Sequence, residues 1–203
     1  MKIKTLGLTD YQTVWQQMQQ LTRTRTFETE DEWWITEHFP VFTEGQASKK
    51  EHLLNTGDIP VIKTDRGGQV TYHGPGQLVL YILCDLKRLS IPLKAFVNTL
   101  ENTLVCLLND YHIIGKQEPG SPGIYVENAK IASLGLRIHR GCSYHGLSLN
   151  VKMDLEPFQR INPCGQPNRT MVQMSDFSPN IQIEHVIPRL TTHLQEQLSN
   201  ATT

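Results

Sequence analysis

Arg66-Gly67-Gly68-Gln69-Val70-Thr71-Tyr72-His73-Gly74-Pro75-Gly76-Gln77 runs directly into the apolar segment 78–83. A short strand over 69–73 is thereby set between a Gly-Gly pair and a Gly-Pro-Gly turn. Glycine on both sides lets the backbone bend sharply and approach a ligand closely, because no Cβ intervenes. Pro75 fixes one φ angle between two permissive residues, which shapes the turn. The polar side chains of Arg66, Gln69, Thr71, Tyr72, His73 and Gln77 crowd into this stretch, so that both a tight hairpin turn and a ligand-binding loop fit it. Neither G-x-G-x-x-G nor G-x-x-x-x-G-K-[ST] occurs, which excludes a standard dinucleotide or phosphate loop.

Upstream, residues 2–8 alternate as an opening strand. Tyr11, Val14, Trp15, Met18 and Leu21 then recur at helical spacing, with Thr9 or Asp10 as the N-cap. Residues 23–31 are polar and read as loop or a fraying helix end. Strands are expected over 33–38 and 59–64, with 40–45 carrying the chain onward and 46–57 forming a surface loop or short helix. Downstream, 78–84 reads as a buried strand. Pro92 opens a long helix, with Ser90 as its candidate cap and a core stripe of Leu93, Phe96, Val97, Leu100, Leu104, Leu107 and Leu108. Residues 118–123 read as a loop. Short strands follow over 124–126, 130–138 and 146–151, with turns at Glu127-Asn128 and over 140–143. A closing helix carries Ile183, Val186, Ile187, Leu190, Leu194 and Leu198. Pro188 places its start at about 184–187, since proline is tolerated only near a first turn. Runs of strands with a few long helices predict an α+β domain with a mixed, largely antiparallel sheet flanked by helices. The 203 residues suit one domain, 1–203.

A formal charge of −1 points to neither nucleic acid nor a membrane surface. No apolar run is long enough to span a bilayer, and residues 1–7 lack the apolar core of a secretory signal, so a cytoplasmic protein is expected. Cys84, Cys106, Cys142 and Cys164 form no C-x-x-C pair and read as free thiols. Cys84 and Cys106 sit in apolar runs; Cys142 and Cys164 sit among loop residues.

Cys164 stands between Pro163, which holds Asn162 extended, and Gly165, which leaves space beside the thiol. A thiolate can accept an acyl group as a thioester and pass it on, if a cation or backbone N–H groups lower its pKa. Lys130 enters the apolar segment 131–135. Desolvation there lowers its pKa toward that of a neutral-pH base; if it stays charged it stabilises a thiolate instead. Taken alone, a cysteine in a Pro-Cys-Gly loop and a lysine at a strand end are more often structural than catalytic. Ser133 and Gly135 share a strand face that can floor a groove. His73 and His145 each precede a glycine and are candidates to line a site. His139, Cys142 and His145 match no zinc spacing, and no G-x-S-x-G elbow is present.

Five stretches together resemble one family. Glu37-His38-x-Pro40-Val41-Phe42-Thr43-x-Gly45, the glycine-rich stretch over 66–77, Lys130-Ile131-Ala132-Ser133-Leu134-Gly135-x-Arg137, His145-Gly146-Leu147-Ser148-Leu149-Asn150 and Pro163-Cys164-Gly165 are similar to motifs of the lipoyl(octanoyl) transferases, in order across 6–174. The resemblance implies the catalytic fold of biotin and lipoate protein ligases. It implies transfer of an octanoyl group from octanoyl-acyl carrier protein to the target lysine of lipoyl domains, through a cysteine thioester, as the first step of endogenous protein lipoylation. Acceptors would be the lipoyl domains of 2-oxoacid dehydrogenase E2 subunits and the glycine cleavage H protein. Cys164 and Lys130 match the family's catalytic pair. Arg66, Gly67, Gly68, Gln69, Val70, Thr71, Tyr72 and His73, with Ser133, Leu134, Gly135, Gly146, Leu147 and Ser148, match its substrate-binding stretches. No cofactor, metal, nucleic acid or membrane partner is implied, and a monomer is expected. The rival readings are an ATP-dependent lipoate or biotin ligase, a non-catalytic module binding acyl carrier or lipoyl domains, and an octanoyl amidotransferase. Pro-Cys-Gly and His-Gly-Pro-Gly-Gln favour transfer from a thioester over the ligase.

Overall fold

The computed structural model describes residues 1–167 and 169–201, which form β1 (Lys2–Thr9), α1 (Tyr11–Thr24), β2 (Glu32–His38), β3 (Val41–Glu44), β4 (Val61–Lys63), β5 (Thr71–His73), β6 (Gln77–Leu83), α2 (Leu93–Asn109), β7 (Gly115–Glu118), β8 (Ser121–Val126), β9 (Ala129–His139), β10 (Cys142–Asn150) and α3 (Ile183–Ala201). Seven strands make the main sheet in the order β1-β2-β6-β10-β9-β8-β7, and β4-β3-β5 make a smaller one. In the main sheet β1 and β2 run parallel and every other pairing is antiparallel. The sheet is therefore mixed and largely antiparallel, as the strand pattern predicts.

Strand β6 is buried along its whole length because helices cover both faces of the sheet. Leu78, Leu80 and Ile82 point into a core shared with Phe96, Leu100 and Leu104 of α2 and Val186, Leu190 and Leu194 of α3. Val79, Tyr81 and Leu83 alternate onto the other face, against Tyr11, Val14 and Met18 of α1. A strand covered on both sides loses its polar alternation and reads as one apolar run. Helix α1 starts where Asp10 accepts the Thr13 N–H at 2.8 Å, so Asp10, not Thr9, is the cap.

Several boundaries differ from the sequence expectation. Ser90 does not cap α2: it lies in a left-handed turn (φ +56°), and Pro92 occupies the N-cap without a side-chain bond. Residues 118–123 are not a loop but the end of β7, the turn of the β7–β8 hairpin and the first half of β8. β7 (Gly115-Lys116-Gln117-Glu118) lies at the sheet edge and shows no apolar alternation to reveal it. Pro122 is accommodated beside a register irregularity, where no ladder N–H is required. Cys142 opens β10 and is buried rather than lying in a loop, and the β9–β10 turn is confined to Arg140-Gly141. Helix α3 begins at Ile183, so Pro188 sits inside it.

The Gly-Pro-Gly turn is fastened from two sides. Glu37 accepts the Gly76 N–H at 2.6 Å, and the Gly76 carbonyl accepts from Val151 and Lys152. At Gly76 φ is +85°, and a Cβ would stand 1.8 Å from the Lys152 oxygen, so only glycine fits. Among the described residues no helix is long and apolar enough to cross a membrane.

Candidate active site

Cys164 and Lys130 arrive from different parts of the chain and meet. Cys164 lies in the 3-10 turn Pro163–Gly165 with φ +58°, a left-handed conformation that costs a non-glycine residue of order 1–3 kcal/mol. Its N–H donates to the Val70 carbonyl at 3.3 Å, and its Sγ lies 3.0 Å from Lys130 Nζ. Lys130 is only 2 % exposed. Its Nζ also donates to the Pro122 carbonyl at 2.9 Å and sits 5.1 Å from the centre of the Tyr125 ring. The chain after the cysteine is stitched to the same lysine, since Lys130 N–H donates to Thr170 O and Val172 N–H to Lys130 O. Burial by itself pulls the Lys130 pKa down, but the Cys164 sulfur beside it outweighs burial through charge and hydrogen bonding, and the shift is upward. This corrects the expectation of a lowered lysine pKa: Lys130 is held as an ammonium beside the sulfur. The space expected beside the thiol at Gly165 is filled by Gln69 and His52, which a Cβ there would meet at 3.0 and 3.2 Å.

The pair opens on a cavity of about 470 Å³. Around it the structure gathers Arg66, Gly67, Gly68, Gln69, Val70, Thr71 and His73 from the glycine-rich stretch, Ser133, Leu134 and Gly135 from β9, and Gly146, Leu147 and Ser148 from β10. Ser133 and Ser148 are paired across the two strands. Tyr72 is the exception. Strand alternation turns it to the opposite face, where it packs with Phe42 and Phe158. Val79, Leu93, Val97 and Leu136 add apolar wall that no motif marks.

Arg66 is buried, and among the described residues its side chain bonds only to oxygens without charge: Thr43 Oγ1 and O, and Gly67 O. Burial lowers its pKa, against the opposing influence of Tyr11, Cys164 and Tyr81. Thr43 Oγ1 also contacts His73 Nε2 at 3.4 Å, and His73 Nδ1 meets Gln77 Oε1 at 2.6 Å. Gln77 uses its amide to donate to Tyr72 O and Asn150 Oδ1, so its oxygen accepts and His73 carries its proton on Nδ1. His38 donates from Nδ1 to Thr9 O at 3.1 Å and accepts from the Tyr81 hydroxyl at Nε2, 2.6 Å away. Burial pushes His73 down to about 3 and His38 down to about 4, so both are neutral. These residues of the Glu-His and His-Gly-Pro-Gly-Gln motifs thus brace the wall.

Sequence reasoning missed Asp65. Its carboxylate accepts from Trp15 Nε1 (2.8 Å), Gln19 Nε2 (3.0 Å), the Tyr144 hydroxyl (2.5 Å) and His145 Nε2 (2.9 Å). It thereby ties α1 and β10 to the start of the glycine-rich stretch. Burial alone would raise its pKa; the four donors hold it well below the carboxylate range. One acidic residue before Arg66 gives no sequence signal, because its donors are up to 80 positions away. Among the described residues no His, Cys, Asp or Glu group is arranged to hold a metal ion, the trio His139, Cys142 and His145 included.

A mixed sheet flanked by helices thus carries a buried lysine–cysteine pair at the wall of one cavity. Residues 10–195 match the model of the lipoyl protein ligase A/B catalytic domain, and the chain belongs to that family. It is 53% identical over 198 residues to the octanoyltransferase of Pseudomonas savastanoi pv. phaseolicola, covering 98% of this chain and 91% of that one. Within the family it therefore stands with the octanoyltransferases, which are acyltransferase enzymes. Two solved structures share the fold. A lipoate-protein ligase A bound with ATP superposes with a TM-score of 0.81 at 15% identity, over 98% of this chain and 85% of the other. The biotin protein ligase of Aquifex aeolicus gives 0.59 at 10% identity, over 100% and 70%.

Proposed function

We propose that the protein takes an octanoyl group from octanoyl-acyl carrier protein onto Cys164 and passes it to the target lysine of a lipoyl domain, the first step of endogenous protein lipoylation. The observation that carries this is the 3.0 Å contact between Lys130 Nζ and Cys164 Sγ at the wall of the cavity. The whole chain acts as one catalytic domain, in the cytoplasm and as a monomer. Acceptors are the lipoyl domains of 2-oxoacid dehydrogenase E2 subunits and the glycine cleavage H protein.

Sγ attacks the donor thioester carbon as the thiolate, beside the Lys130 ammonium. Backbone N–H groups of the glycine-rich stretch stabilise the oxyanion. The bond to the pantetheine sulfur breaks, and that sulfur leaves as a thiol with the Lys130 proton. Lys130 is now a buried neutral amine without an anionic neighbour. It takes one of the two protons that the acceptor ammonium sheds, and solvent takes the other. The acceptor nitrogen attacks, the bond from carbon to Sγ breaks, and thiolate and ammonium are restored. Exchange between thioesters is nearly isoenergetic and amide formation runs downhill, so the steps consume no ATP. Burial of the acyl chain contributes about 0.8 kcal/mol per methylene.

Intact-protein mass after mixing with octanoyl-acyl carrier protein, without ATP, tests this for wild type and Cys164→Ala. A hydroxylamine-labile octanoyl adduct on wild type alone is expected. Acylation of neither protein, together with product formation from octanoate and ATP, would replace this reading with the ligase.

A further inference from the structure

The cavity end remote from Cys164 is lined by polar groups that the proposed transfer does not use. Position along the strands places that end. Lys130 Nζ bonds the Pro122 carbonyl, and the Lys130 side chain passes Gly123, where an added Cβ would meet Cε at 2.5 Å. Gly123 pairs with Ser133, so the reacting sulfur stands level with Ser133 of β9. His145 pairs with Leu136, three residues further on. Three residues of strand cover about 10 Å. Eight bonds separate the sulfur from the terminal carbon of an octanoyl chain. An extended backbone advances about 3.3–3.6 Å per three bonds, so the extended acyl chain spans roughly 9–10 Å. The chain terminus therefore falls at His145.

His145 is 1 % exposed, and its φ of +59° breaks the strand alternation, bringing its ring against that of Tyr144. Asp65 accepts from Nε2, which leaves Nδ1 with a free lone pair, and that atom has no hydrogen-bond partner among the described residues. The Tyr11 hydroxyl, on a side chain 2 % exposed, lies beside Thr64 without a well-aligned hydrogen bond among the described residues. Both residues line the cavity, as does Val79 on the same face of the sheet. A buried acceptor without a partner and a buried hydroxyl without a well-aligned one are costly against further methylenes and favourable to a small hydroxyl group or water.

We propose that His145 and Tyr11 form a polar end-stop that reads the terminus of the acyl chain, setting its length at eight carbons and accepting a terminal hydroxyl. The proposal rests on the transferase reading above. A longer saturated chain presses methylenes onto His145 Nδ1 and the Tyr11 hydroxyl. A terminal hydroxyl instead donates to Nδ1 and accepts from Tyr11.

The test compares kcat/KM for octanoyl-, decanoyl- and 8-hydroxyoctanoyl-acyl carrier protein in wild type, Tyr11→Phe and His145→Leu. A purely apolar wall rejects an added hydroxyl by roughly a hundredfold. Wild type is expected to use the hydroxylated donor at no less than about one-tenth the octanoyl value, a penalty of at most about tenfold against that hundredfold. The hydroxylated-to-octanoyl ratio is expected to fall at least about threefold in Tyr11→Phe, which removes a single oxygen, and further in His145→Leu, each losing a bond the hydroxyl needs. His145→Leu is expected to raise the decanoyl-to-octanoyl ratio. A wild-type hydroxylated ratio under about one-tenth, nearer to what an apolar wall gives, overturns the proposal, as does a ratio that neither variant lowers. Either result with normal octanoyl transfer leaves the transferase reading standing; absence of octanoyl transfer in wild type overturns both.

Discussion

Asp65 Oδ1 accepts the Nε2–H of His145 across 80 positions of sequence at 2.9 Å, and this contact joins the glycine-rich stretch to the strand forming the opposite cavity wall. With Trp15, Gln19 and Tyr144 on the same carboxylate, four donors depend on one side chain. Asp65→Ala leaves these donors without their acceptor, at about 1–3 kcal/mol for each that stays buried. In a chain of this size about 1 kcal/mol shifts the melting temperature by roughly 2–4 °C. Thermal unfolding of Asp65→Ala is expected some 5–15 °C below wild type on that scale. A shift under about 2 °C, the equivalent of one kcal/mol or less, would show that water replaces Asp65 without loss.

Lys130→Met keeps most of the buried volume and removes the ammonium from Cys164. Loss of a positioned proton-transfer group costs typically 10²–10⁴-fold. Single-turnover acylation by octanoyl-acyl carrier protein, followed by intact mass, is expected to slow by that order. An unchanged acylation rate would remove Lys130 from the first step.

Acid sensitivity follows from the two neutral histidines. His38 and His73 have folded pKa values pushed by burial to about 4 and about 3, below the ordinary 6.5. Between pH 6.5 and those values the unfolded chain binds protons that the folded chain does not, so stability is full above 6.5 and falls as pH drops. The slope approaches about 1.4 kcal/mol per pH unit for each histidine. Urea unfolding between pH 7.5 and 4.5 is expected to show a steadily falling midpoint. A flat profile across that range would mean that both rings take up protons in the native state.

Gly76→Ala drives a Cβ to 1.8 Å from the Lys152 oxygen at a φ of +85°. The left-handed backbone alone costs about 1–3 kcal/mol, and the clash adds to it. The variant is expected to melt at least about 5 °C lower on the scale of 2–4 °C per kcal/mol. Retention of the wild-type melting temperature would show that the 151–152 segment yields freely.

Periodicity carried most of the fold. The stripe of α1, the run of α2 and the continuous apolar β6 were legible because each element must bury a face of fixed period against a neighbour. The β7 edge was not, because a half-exposed edge strand has no face to bury and Gly115-Lys116-Gln117-Glu118 carries only polar side chains after its glycine. Ser90 misled for a local reason: the turn over 85–91 uses it in a left-handed conformation. At the site, motif resemblance singled out Cys164 and Lys130, while spacing alone left both open to structural roles.

By itself, then, the sequence determined most of the helices and strands, that the chain resembles the octanoyltransferases, and which lysine and cysteine to watch. The tertiary structure alone decided that these two side chains lie 3.0 Å apart and that Lys130 stays charged. It also decided that Tyr72 faces away from the cavity and that Asp65 and Tyr11 belong to its wall or bracing. The physical reason is one of range. Backbone conformation and amphipathic faces are set by neighbours a few residues apart, whereas the charge of a buried lysine and the partners of a buried carboxylate depend on groups brought from 34 to 80 positions away.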